Sequence, residues 1–174
     1  MRVILVATVL LMTLSTVSKA SGIRQAIFKQ LYGETTKASN QYAAMDIVSK
    51  MLLKLHSKSV AEINQKFQTE AANQYTISAG HATLSDLNKT INHELDILKY
   101  IANEMSSGDA VDYRKAAESM NEARFTLDDG LKSTWKALNS KQRTLLIRVA
   151  SPVFENVQKE LKEYIFLLKV LSSK

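Results

Sequence analysis

Apolar residues recur at intervals of three and four along most of this chain, which is the spacing of one face of an α-helix. The clearest run is Leu84, Leu87, Ile91, Leu95 and Leu98. The chain has five glycines and one proline, too few turn-forming residues for a protein of many short strands. We therefore predict an all-α protein, a compact bundle of six or seven helices that forms a single domain over residues 21–174.

Local signals predict where several of these helices begin and end. A first helix is expected from about Gly22, with Gly33 as its stop, and a second from about Thr36 to His56. Ser59-Val60-Ala61-Glu62 has the Ser-x-x-Glu spacing of a capping box, which predicts the start of a third helix. Gly130 costs a helix about 1 kcal/mol relative to alanine, so we expect a kink or break near residues 128–130.

The first twenty residues, MRVILVATVLLMTLSTVSKA, have the pattern of a secretory signal peptide. Arg2 precedes an apolar run from Val3 to about Val17, and Ser18 and Ala20 are small residues at the positions that signal peptidase reads. The alternative is a membrane anchor, but the run of about 15 residues is shorter than the ~20 that span a bilayer. We expect cleavage after Ala20 and secretion of the helical domain.

Composition limits the stabilising interactions and the partners of the chain. It contains no cysteine, so packing rather than disulfide bonds must stabilise an exported fold. Its formal net charge is +6, of which Arg2 and Lys19 contribute two. This mild basicity suits anionic ligands or surfaces but is far from the charge density of a nucleic-acid-binding protein. No segment after residue 20 is apolar enough to cross a membrane, so we predict neither nucleic acid binding nor an integral membrane segment.

The residues that usually perform catalysis or bind metals are scarce or wrongly spaced. His56, His81 and His93 are the three histidines, and His93 lacks the second histidine four residues away that a helical zinc site requires. The absence of cysteine, of a Gly-x-Ser-x-Gly motif and of a glycine-rich phosphate loop leaves no recognisable nucleophile or nucleotide site. We expect a protein that is not an enzyme and that holds no metal and no cofactor.

Asn88-Lys89-Thr90 is an N-glycosylation sequon in a chain predicted to enter the secretory pathway. It falls early in a predicted helix, which accommodates a glycan less well than a loop. Asn88 is therefore either a glycosylation site or part of an ordinary polar helix face.

Residues 131–154, LKSTWKALNSKQRTLLIRVASPVF, contain five basic side chains and no acidic one. An apolar cavity rimmed by cations would suit an amphiphile with an anionic group. The candidate lining residues are Trp135, Leu138, Leu145, Leu146, Val149 and Phe154. The candidates for the polar end are Lys136, Lys141, Arg143 and Arg148. The alternative is a solvated basic face over an ordinary core, since helical stripes of this kind usually form a core.

The same segment resembles the C-terminal pattern of secreted nematode fatty-acid- and retinol-binding proteins. Trp135-Lys136-Ala137-Leu138-Asn139 lies where that pattern begins, and Pro152 falls near its end. Asn139 replaces the usual serine, Ser151 replaces the phenylalanine before the proline, and the acidic residues of the pattern are missing. The resemblance covers about 25 residues and implies a helical protein with an internal apolar cavity for fatty acids or retinoids, without a cofactor.

These observations favour a secreted carrier or sequestrant of a small hydrophobic ligand with an anionic group. One alternative is a secreted module that binds another protein through its last helix, where Ile165, Phe166 and Leu167 widen the apolar face. Another is an exchangeable bundle that opens on lipid surfaces.

Overall fold

The structure, a computed structural model, describes residues 26, 28–72, 81–108 and 112–174. A first helical segment, α1, covers residues 28–36. Six further helices follow it: α2 (Gln41–Ala71), α3 (His81–Leu95), α4 (Ile97–Ser107), α5 (Tyr113–Ala137), α6 (Ser140–Val149) and α7 (Ser151–Ser172). The described ranges contain no strand, and the prediction of an all-α bundle is confirmed.

Helix α1 continues beyond Gly33, so the prediction that this glycine stops the helix is wrong. The Thr35 hydroxyl donates to the Leu31 carbonyl oxygen at 3.0 Å, and the Thr36 hydroxyl donates to the Tyr32 carbonyl oxygen at 2.8 Å. These bonds satisfy carbonyl groups in the last turn of the helix, where backbone donors are lacking.

Helix α2 is a single helix of 31 residues rather than the two predicted helices. It begins at the N-cap Asn40, whose side-chain oxygen accepts from the Ala43 N–H at 2.9 Å. Ser59, the residue expected to cap a new helix, is buried within it. Ser59 lies four residues after Leu55 and four before Ile63, so it shares the buried face of these two residues. Burial of this continuous stripe keeps residues 59–62 helical, although their Ser-x-x-Glu spacing is also that of a helix start.

Helices α3 and α4 share one buried stripe, but Asp96 separates them. Their buried side chains are Leu84, Leu87, Ile91, Leu95, Leu98, Ile101, Ala102 and Met105. The Asp96 N–H donates to the His93 carbonyl oxygen at 3.0 Å, a bond that closes a tighter turn than that of an α-helix. The interruption therefore changes the backbone locally without moving the apolar residues out of the core.

Helix α5 passes through Gly130 without a break, so an interruption of the helix at residues 128–130 is absent. A Cβ at Gly130 would meet the carboxylate of Glu94 on α3. The glycine therefore leaves room for the Glu94 side chain against α5. The helix begins after Asp112, whose carboxylate accepts from the Lys115 N–H at 2.7 Å.

Helix α6 has a complete capping box at its start. The Asn139 side-chain oxygen accepts from the Gln142 N–H, and the Gln142 side chain accepts from the Asn139 N–H, both at 3.0 Å. Helix α7 follows almost at once, with Pro152 in its first turn, where a missing N–H costs nothing. Only Ala150 separates the two helices, which begin at Ser140 and Ser151.

The helices enclose one continuous core. Helices α3 and α4 pack against α2 and against α5. Helix α7 also packs against α2 and α5. The contacts of Ser49 with Ala102 and of His56 with Asp96 show that α2 runs antiparallel to α3 and α4. Members of the core with almost no exposed surface include Met45, Leu52, Ile91, Leu127, Leu146 and Leu161.

Candidate functional site

The apolar residues predicted to line a ligand cavity lie in or against the common core. Leu145, Leu146, Val149 and Phe154 are buried, whereas Trp135 and Leu138 are partly buried against the core. These six side chains therefore stabilise the junction of α5, α6 and α7. None of them lines the groove or the cleft described below.

Arg143, predicted to form part of the polar end of a ligand site, lies across the C-terminus of α5. Its Nε donates to the Trp135 carbonyl oxygen at 3.0 Å, and a terminal nitrogen donates to the Lys136 carbonyl oxygen at 3.4 Å. The guanidinium carbon also lies 5.5 Å from the centroid of the Trp135 ring, within the range of a cation–π contact. A cation at the negative end of a helix stabilises that end.

Arg148, a second predicted polar residue, forms an ion pair across the bundle. One of its terminal nitrogens donates to both carboxylate oxygens of Glu70 at 3.2 Å. The two remaining predicted cations, Lys136 and Lys141, are exposed. The basic stretch thus contributes a helix cap and an interhelical ion pair as well as exposed lysines.

Asn88 of the sequon belongs to a cluster of three amides between α2 and α3. Its Nδ2 and that of Asn92 each donate to the Asn64 side-chain oxygen at 2.9 Å. Asn88 is half-buried and lines a cleft of about 460 Å³, together with polar residues such as Asn64 and Gln68 and apolar residues such as Phe67. In the folded protein the amide that would carry a glycan is engaged in a hydrogen bond.

A groove of about 270 Å³ lies between α1, α2 and α7. Its apolar floor is formed by Leu31 of α1, by Met51 and Leu55 of α2, and by Tyr164 of α7. Its remaining lining residues are Gln30, Glu34, Lys54, Lys58 and Glu160. The volume lies just below the ~300–1,000 Å³ of typical small-molecule sites, so the groove would hold a small ligand or one part of a larger one.

The charged residues of the groove differ between its walls. Lys54 and Lys58, four residues apart on α2, place two ammonium groups on the same side of that helix. Glu34 accepts from the Gln30 side chain at 3.1 Å, and Glu160 accepts from the Tyr164 hydroxyl at 3.2 Å. Burial first, and then the neighbouring Glu160 carboxylate, raise the pKa of Tyr164 above its ordinary value, so the phenol remains a donor.

The sequence contains a weak signal for this groove. Lys54 and Lys58 follow Met51 and Leu55 at helical spacing, which places two cations beside an apolar pair. Leu31, Glu34, Glu160 and Tyr164 come from the two ends of the chain. Their convergence depends on the packing of α1 and α7 against α2, and helical periodicity alone does not specify that packing.

His56 is buried, and its Nε2 lies 3.1 Å from an Asp96 carboxylate oxygen. Burial lowers the pKa of His56 below its ordinary value, although the hydrogen bond with Asp96 opposes this shift. The described residues contain no group of three or more His, Cys, Asp or Glu side chains arranged to hold a metal ion.

Comparison of the chain with protein-family models, curated proteins and solved structures finds no match. The resemblance to nematode fatty-acid- and retinol-binding proteins therefore stays a sequence-based expectation. Among the described residues, no helix combines the length and the apolar character needed to cross a bilayer. The fold defines the class of the protein as an all-α helical bundle.

Proposed function

We propose that this protein is a secreted carrier or sequestrant of a small amphiphilic ligand, bound in the groove between α1, α2 and α7. The observation that carries the proposal is an apolar floor of Leu31, Met51 and Leu55 directly beside the ammonium groups of Lys54 and Lys58. An alkyl chain on this floor would leave water while a polar head stays at the exposed rim.

The size of the groove sets the expected affinity. A chain segment of about six methylene groups would gain roughly 5 kcal/mol from burial at about 0.8 kcal/mol for each group. Part of that gain offsets the lost freedom of the ligand, so we expect dissociation constants of about 0.2–1 mM from burial of the chain. Fatty acids and retinoids, the class implied by the resemblance, are the first ligands to test.

The binding test is displacement of a fluorescent undecanoic acid probe from the purified protein. We expect saturable probe binding, competition by unlabelled fatty acid, and at least fivefold weaker binding to Met51→Trp, because the larger ring would fill the groove. Tyr42→Trp is the matched control, since Tyr42 is an exposed aromatic residue of the same helix outside the groove lining. The absence of probe binding, or equal binding by both variants, would contradict the proposal.

The secretion part of the proposal rests on the first twenty residues. Expression of the full chain in a eukaryotic secretion host should release a protein that begins at Ser21, with a mass lower by that of residues 1–20. Retention of the full-length chain in the cell would contradict export.

A protein-binding function is the second candidate, and one partly exposed aromatic pair favours it. Within the apolar face of α7, Ile165 and Leu167 are buried, whereas Phe166 is 55% exposed. Its ring centroid lies 5.6 Å from that of Phe28 on α1. Light scattering of the wild-type chain and of Phe166→Ser tests self-association through this pair. A dimer lost in the variant would support it, and a wild-type monomer would contradict the self-associating form.

A further inference from the structure

The rim of the groove carries opposite charges on different helices, and this feature bears on the ligand class. Lys54 and Lys58 lie on α2, whereas Glu34 lies on α1 and Glu160 on α7. Within the part of the chain that the structure describes, none of these four side chains forms an ion pair with another protein group. Two cations on the α2 wall and two anions on the α1 and α7 walls therefore line the same groove without forming an ion pair with one another.

A ligand with a single negative charge would complement only one wall. Its carboxylate would pair with Lys54 and Lys58, but Glu34 and Glu160 would remain without a cation and would repel it. A purely cationic amphiphile would pair with Glu34 and Glu160 but would be repelled by Lys54 and Lys58. A head group that carries both charges can pair with both walls at once.

From this arrangement we infer that the preferred ligand is a single-chain zwitterionic amphiphile of the phosphocholine type. The phosphate lies toward Lys54 and Lys58, the quaternary ammonium group lies toward Glu34 and Glu160, and the alkyl chain covers Leu31, Met51 and Leu55. A volume of 270 Å³ limits the apolar part to one chain segment. This inference rests on the proposed function, because it assigns the head group of a ligand in the same groove.

The test compares three amphiphiles that share a dodecyl chain and differ in charge. Isothermal titration calorimetry of the purified protein would measure dodecylphosphocholine, laurate and dodecyltrimethylammonium, each below its micelle concentration. We expect dodecylphosphocholine to bind about tenfold more tightly than either singly charged compound. Laurate binding as tight as dodecylphosphocholine would overturn the inference and leave the proposed function standing. The failure of all three to bind would overturn both.

Charge-removing variants then assign each wall to one end of the head group. Lys54→Gln with Lys58→Gln should weaken dodecylphosphocholine and laurate by about fivefold and leave the cationic amphiphile no weaker. Glu34→Gln with Glu160→Gln should weaken dodecylphosphocholine by a similar factor but strengthen laurate. Lys141→Gln, an exposed lysine outside the groove, is the control and should change none of the three affinities. Equal effects of both double variants on laurate would overturn the assignment.

Discussion

Arg148 lies in the most basic stretch of the sequence, yet its guanidinium contacts Glu70, 78 residues away along the chain. The Glu70 side chain is 9% exposed and that of Arg148 is 50% exposed. A carboxylate this buried depends on a charged donor, because few water molecules can replace the bond if it is lost. A residue proposed from sequence as part of a ligand site thus has a structural partner.

Replacement of Arg148 by methionine should destabilise the fold by about 1–2 kcal/mol, because it leaves the buried Glu70 carboxylate without the guanidinium. Urea denaturation followed by circular dichroism measures this loss. Lys141→Met, at an exposed lysine of the same helix, should stay within about 0.5 kcal/mol of the wild type. Equal losses in the two variants would show that the ion pair contributes nothing specific.

We expect the buried His56 to make the free energy of unfolding depend on pH near neutrality. Because burial lowers the pKa of His56 below its ordinary 6.5, the unfolded chain takes up this proton before the folded chain does. The free energy of unfolding should therefore fall as the pH drops from 7.5 through 6.5 toward 5.5. Urea midpoints at several values in this range measure the slope.

Two variants test whether this pH dependence of the free energy of unfolding arises from His56 or from other ionisable groups. His56→Gln should flatten the dependence between pH 7.5 and 5.5, whereas His93→Gln, at an exposed position, should retain it. Partial burial raises the pKa of Asp96, but hydrogen bonds from Lys99 and His56 lower it overall, so its contribution is lost below its ordinary 3.8, outside the measured range. A slope unchanged in His56→Gln would contradict the assignment.

At the scale of helices, packing overrides local signals in two places. Ser59 begins a Ser-x-x-Glu sequence but lies in the middle of α2, because its face continues the buried stripe from Leu55 to Ile63. Gly130 has low helix propensity but lies within α5, where the absence of a side chain admits Glu94. At Ser59 the burial of this face contributes more than the ~1 kcal/mol of a cap.

Gly130→Ala tests the contact between α3 and α5. In an open helix interior this change would stabilise the fold by about 1 kcal/mol, but here the new methyl group meets the Glu94 carboxylate. We expect little or no gain in the wild-type background and a gain in Glu94→Ala, with a coupling of about 0.5–1 kcal/mol from urea denaturation. The same gain in both backgrounds would show that the two residues are not in contact.

At the scale of the whole molecule, the helices share one buried cluster that includes side chains from α1 to α7. Trp135, the one tryptophan of the chain, lies near the end of α5 and packs against this cluster. It therefore reports on the junction of α5 and α6, whereas circular dichroism reports on every helix.

We expect the chain to unfold as one cooperative unit because its helices bury a common core. Urea transitions followed by Trp135 fluorescence and by helical circular dichroism should have the same midpoint. An earlier fluorescence transition would show that the junction of α5 and α6 opens separately, and would contradict the prediction of a single cooperative domain.

The sequence alone determined the helical class and much of the core, because apolar spacing follows directly from the period of the helix. The stripe shared by α3 and α4 could be predicted from Leu84 to Leu98, and these five residues are buried in the structure. Local signals at Ser59 and Gly130 led to wrong helix ends, because tertiary contacts between distant segments outweigh them.

Only the tertiary structure decided which polar residues meet. It pairs Arg148 with Glu70, places Arg143 at the end of α5, and brings Lys58 and Glu160 to one groove. A periodic pattern specifies the buried face of each helix but not which helix lies beside it, or which flanking charges then come together. The candidate groove is lined by residues beside the buried faces of α1, α2 and α7, so it forms only when these three helices pack together.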